Sequence, residues 1–140
     1  MNKEQYVSYE IAKLLKEKGF NWRVFNFYDE HGRFSEHIGS VYTLYNWNCQ
    51  AEDGRFSQYC SAPTQQMTCQ WLRDVYKIDI SVTPDDGSWW IKITELESWS
   101  CVFNGKVLNS DDIKFAYEGD TSTKEGCYEA ALWYVLTNLI

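Results

Sequence analysis

Apolar and polar residues change their period along this chain, and each period implies an element. Ile11, Leu14, Leu15 and Lys18 keep helical spacing, with Lys13 and Lys16 turned outward, so residues 8–18 read as a helix. Ser8 supplies its N-cap and Gly19 a left-handed residue just past its end, from which Phe20 folds back on Leu15. The stretch 61–76 centres the chain. Met67, Trp71, Leu72 and Val75 recur there at three- and four-residue spacing, which predicts a helix over 63–76. Pro63 suits its first turn, with Ser61 or Ala62 as the cap, and Arg73 and Lys77 suit the negative end of its dipole. Trp71 is the expected core anchor.

Elsewhere the period is two. Residues 22–28 read as an aromatic strand, Asp29-Glu30-His31-Gly32 as a turn and 33–38 as a short returning strand. Residues 40–48 look extended, Glu52-Asp53-Gly54 reads as another turn, and 55–60 fits no element clearly. Residues 78–82 alternate cleanly, and Pro84-Asp85-Asp86-Gly87 has the chemistry of a turn. Residues 89–96 and 99–103 follow as strands around Glu97-Ser98. Asn104-Gly105 turns the chain again, and 113–117 reads as a last strand. Ser122 and Glu125 form a capping box for a closing helix over 123–138, carried by Tyr128, Ala131, Leu132, Val135 and Leu139. Short turns between strands imply antiparallel pairing. The expectation is therefore one α+β domain over 1–140, a mainly antiparallel sheet packed with about three helices.

Composition narrows the class. A chain of 140 residues is long enough to bury roughly two thirds of its unfolded surface without staples. Aromatics make up 17%, with seven Trp and ten Tyr, which argues against disorder. The net charge of −7 argues against phosphate-backbone binding, which needs Lys and Arg. No apolar run approaches the roughly 18 residues of a membrane span, and the first residues lack the apolar core of a secretory signal. The five Cys (49, 60, 69, 101 and 127) are odd in number and form no C-x-x-C pair, so reduced thiols in a cytoplasm are expected.

Candidate chemistry is sparse. Trp89 and Trp90 are adjacent in a strand and point to opposite faces, so helices cover only one of them easily; the other is covered by loops from the first half or stands exposed, and Trp89, Trp90 and Trp99 are the candidate interaction surface. Gln65 and Gln66 are candidate ligand contacts at a helix start. The acidic pairs Asp29-Glu30, Glu52-Asp53, Asp85-Asp86 and Asp111-Asp112 read as solvated turns, with mimicry of nucleic acid as their alternative use. His31 and His37 with Cys49 and Cys60 fit no zinc spacing, and no catalytic or nucleotide-binding motif is present. No cofactor and no metal is expected. Three segments together resemble a family of small proteins from Bacteroidetes-type gut bacteria, their phages and mobile elements. They are Tyr6-Val7-Ser8 running on to Gly19-Phe20, Ala62-Pro63-Thr64-Gln65-Gln66-Met67 with Trp71-Leu72-Arg73, and the helix from Glu125 through Glu129-Ala130-Ala131. The resemblance spans nearly the whole chain in order, and its most specific part is residues 61–73. It implies a cytoplasmic bacterial or phage protein and carries no established activity or catalytic residue. The chain departs from the family pattern in its Cys content and in the length of its aromatic stretch at 40–60. The functional expectation is a non-enzymatic accessory protein acting through a protein partner or as a homodimer. The alternative is a small-molecule-binding protein or small enzyme with a pocket between the central helix and the sheet, using Gln65, Gln66 or a Cys–His pair.

Overall fold

The computed structural model describes residues 5–36, 46–48, 59–96, 102–103, 106–107 and 110–140. The expected turns at 52–54, 97–98 and 104–105, most of the extended segment 40–48, His37, Cys49, Trp99 and Cys101 lie outside the described residues. The fold is α+β, every strand pair described is antiparallel, and four α-helices are described rather than three. The chain divides into two compact units, Met1–Thr64 and Gln65–Ile140.

In the first unit α1 spans Tyr9–Glu17. Ser8 caps it, its Oγ accepting from Ile11 N–H at 3.3 Å. Gly19 (φ 87) ends it: Gly19 N–H donates to Lys16 O and Phe20 N–H to Leu15 O, the paired bonds of a Schellman motif. Ile11, Leu15 and Phe20 are buried. Strands β1 (Asn26–Tyr28), β2 (Phe34–Glu36) and β3 (Cys60–Ser61) form a sheet in the order β2-β1-β3. The turn between β1 and β2 is closed by Asp29, whose Oδ1 accepts from His31 N–H and Arg33 N–H. Gly32 is required there: its φ is 76, and a Cβ would lie 2.8 Å from the Tyr9 ring. β3 corrects the expected helix start. Ser61 caps nothing. Its Oγ accepts from Trp47 N–H, its own N–H donates to Asn48 Oδ1, and the carbonyl of buried Pro63 accepts from Val7 N–H.

In the second unit α2 spans Gln65–Trp71 and widens into a π-helical turn, Leu72–Tyr76, closed by Lys77 in the left-handed region. Trp71 and Leu72 are buried, whereas Val75, expected on their face, is exposed because the wider turn rotates it away. Strands β4 (Ile78–Asp85) and β5 (Ser88–Glu95) form a hairpin with register Ile80↔Ile93 and Val82↔Ile91. Its two-residue turn is Asp86-Gly87, both at positive φ, so the turn is centred one residue later than expected and Pro84 and Asp85 lie within β4. The short ladder β6 (Val102–Phe103) and β7 (Lys106–Val107) follows. Residues 113–117, expected as a strand, belong mostly to helix α3 (Ser110–Ala116), and Asp111-Asp112 occupy its first turn rather than a loop. Helix α4 (Lys124–Tyr134) ends in a second π-helical turn, Val135–Leu139. Its cap is Thr123, whose Oγ1 accepts from Gly126 N–H at 3.0 Å, one residue after the expected Ser122. α4 lies against both strands of the hairpin, and Ile78, Ile80, Val82, Ile91 and Ile93 are buried with Ala130, Ala131 and Leu132.

Candidate functional site

Two features of the second unit place polar or aromatic groups where another molecule can reach them. The first is the outer face of the hairpin. Alternation along β4 and β5 puts the isoleucines on the α4 side and Ser81, Thr83, Trp90 and Lys92 on the other. Trp90 stands opposite Thr83 and is 41% exposed. Trp89, on the opposite face as its adjacency demands, is half-buried, with Lys124 Nζ 5.9 Å from its ring centre. The structure therefore separates the two tryptophans: Trp90 is available for contact and Trp89 belongs to the packed side.

The second feature is a cleft of about 270 Å³. Gln66, Cys69, Gln70 and Arg73 from α2 and its π-helical turn form one wall, residues 79–82 of β4 the other, and Tyr128 of α4 also lines it. The Arg73 guanidinium holds the Asp79 carboxylate through Nε at 3.2 Å and through Nη2, and this bond raises the Arg73 pKa. Gln70 Nε2 donates to Asp74 Oδ1 at 2.8 Å. Burial pushes the Cys69 thiol up to about 12, Asp79 adding to the shift and Arg73 opposing it. Cys69 is therefore a neutral thiol at ordinary pH and a poor nucleophile. Burial and the nearby Cys69 raise Tyr128, while hydrogen bonds from the Val82 main chain and the Gln66 side chain oppose that rise.

Gln65 and Gln66 do not act as a pair. Consecutive helical residues point about 100° apart, since a turn takes 3.6 residues. Gln65, 3% exposed, donates to Glu125 O at 2.9 Å and to Glu129 Oε1 at 3.4 Å, tying α2 to α4. Gln66 alone of the two lines the cleft. His31 sits in an exposed turn beside Glu30 at 3.4 Å, while Cys60 is buried and its thiol is raised by that burial. Among the described residues no group of three or more His, Cys, Asp or Glu is placed to hold a metal ion, and no helix is long and apolar enough to cross a membrane. Sequence reasoning missed Arg73, Asp79, Ser81 and Tyr128 as cleft residues. The clean period-two run at 78–82 marked the strand but not which edge of it faces a cleft. Comparison with protein families, curated proteins and solved structures gives no match.

Proposed function

We propose that this chain is a small accessory protein of bacterial or phage origin that acts by binding a protein partner or a second copy of itself, without catalysing a reaction. The observation that carries this reading is Trp90. It is 41% exposed on a polar strand face, with Ser81, Thr83 and Lys92 as its neighbours. A tryptophan within a polar rim is the composition of an interface hot spot. The cleft supports the same reading. At about 270 Å³ it falls below the roughly 300–1,000 Å³ of sites for drug-sized ligands, and its wall is polar rather than apolar.

The test is a tagged capture from the native host, run beside light scattering, with wild type and Trp90→Ala. The expected result is a partner, or a dimer, that Trp90→Ala loses while its melting temperature stays within the small range of surface substitutions. A monomer that captures no protein and co-purifies with a stoichiometric metabolite overturns the reading in favour of a ligand-binding protein.

A further inference from the structure

Strand register lays out the outer face of the hairpin residue by residue. Side chains alternate along each strand, so Asp79, Ser81, Thr83 and Asp85 of β4 share that face with Ser88, Trp90, Lys92 and Thr94 of β5. Their cross-strand pairs are Asp79↔Thr94, Ser81↔Lys92, Thr83↔Trp90 and Asp85↔Ser88. Trp90 therefore has Lys92 next along the face in one direction, and Ser88 with Asp85 beside it in the other. Thr83, Asp85, Ser88, Trp90 and Lys92 are all exposed. Lys92 and Asp85 lie about 13 Å apart along the strands, too far to pair within one chain. Among the described residues no ion pair holds either of them. Asp79, by contrast, is held by Arg73.

We propose that this face binds the same face of a second copy, about a two-fold axis that passes over Trp90 and Thr83. The proposal rests on the interaction reading above and commits it to one partner. The axis lies between the two hairpins and crosses their strands at right angles. Rotation about it reverses direction along the strands and keeps the order across them. Trp90 then meets Trp90 of the second copy, and Thr83 meets Thr83. Lys92 comes over Ser88 of the second copy, one strand spacing (about 4.8 Å) to the side of that copy's Asp85. Two Lys92–Asp85 contacts form, one on each side of the paired tryptophans.

Charge pattern selects a second copy over an unrelated protein. A cation and an anion spaced equally on either side of a tryptophan complement the same pattern reversed, which is the condition for an isologous interface. Hot spots pair with hot spots, and offset aromatic rings attract beyond their buried area. The net charge of −7 on each copy opposes association. At physiological ionic strength, however, exposed charges more than roughly 8 Å apart are largely screened, so the facing pairs decide. Asp79 comes near the second copy's Asp86, and it brings the Arg73 guanidinium with it. The face is small: two strands of eight residues cover about 26 Å by 10 Å. That area suits a weak dimer whose population follows concentration.

The test is sedimentation equilibrium of the full chain up to about millimolar concentration, with melting temperatures recorded for every variant. The expected result is a wild-type dimer that Trp90→Ala, Lys92→Glu and Asp85→Lys each weaken at least tenfold without a change in melting temperature. Lys92→Glu mixed with Asp85→Lys should associate as wild type does, because both facing contacts then join opposite charges. The double variant Lys92→Glu/Asp85→Lys should do so with itself, and it answers alone if either single variant does not fold. The proposal is overturned if wild type stays monomeric throughout, if any of the three single variants dimerises as wild type does, or if the mixture or the double variant stays monomeric. A monomer that still captures a different protein through Trp90 removes this inference and leaves the interaction reading standing. A monomer that captures nothing removes both.

Discussion

Trp71 is 2% exposed, and its ring meets Tyr76 edge-on with centres 5.3 Å apart. Truncating it removes both its transfer free energy and the packing around it. Trp71→Ala is expected to cost about 3–5 kcal/mol, read as a lower denaturation midpoint. An unchanged midpoint with altered partner binding would reassign the residue from packing to function. Cys69 gives a second prediction at this scale. Its thiol is pushed from 9.0 up to about 12 by burial. The folded pKa lies above the unfolded one, so the contribution of the neutral thiol is full below pH 9. It is lost as pH rises from there toward 12, because the unfolded chain releases its proton first. Denaturation midpoints of wild type and Cys69→Ala, compared between pH 8 and pH 11, should converge as pH rises if the wild type starts more stable. Parallel curves would show that Cys69 does not contribute this pH dependence.

At the scale of the element, α4 shows a general propensity overruled by a neighbour. Glycine inside a helix costs about 1 kcal/mol relative to alanine, so Gly126→Ala is nominally stabilising. Here a Cβ on Gly126 would lie 1.9 Å from the Asp120 carbonyl oxygen, and that atom belongs to the main chain. Gly126→Ala is therefore expected to lower the melting temperature. A rise would mean that residues 120–123 move aside freely. Thr123→Ala removes the cap bond to Gly126 N–H and should cost about 1 kcal/mol, whereas Ser122→Ala should cost much less. Thermal melts of the three variants place the helix start. The same scale explains the helix missed at 110–116. Ile113, Phe115 and Tyr117 alternate like a strand, yet Phe115 is almost fully exposed and only Ile113 of the three is buried. Ser110 and Lys114, one helical turn apart, both reach the edge of β5, and this requirement selects the helix.

For the molecule as a whole, Cys60, Cys69 and Cys127 are free thiols, and burial raises the pKa of each. Alkylation without reductant should label all five cysteines after unfolding. A mass deficit of two hydrogens per missing label pair would instead reveal a disulfide. The sequence by itself determined what depends on a few adjacent residues. Ser8 and Gly19 bound α1 as expected, because a cap and a left-handed glycine act within one turn. Period two at 78–82 and 89–96 marked the hairpin strands, and helical spacing marked Trp71 as core. Tertiary structure decided what depends on distant partners. Ser61 joins a strand because Phe27, thirty-four residues away, pairs with it, and Trp47 donates to its hydroxyl. Gln65 is structural because Glu125, sixty residues away, accepts its amide, while Gln66 faces the cleft. Ser110, nineteen residues from Ile91, closes one edge of the hairpin and leaves the other beside the cleft. Local spacing specifies which residues share a face. Which face or edge is covered depends on hydrogen-bond partners and apolar surface that the folded chain brings from afar.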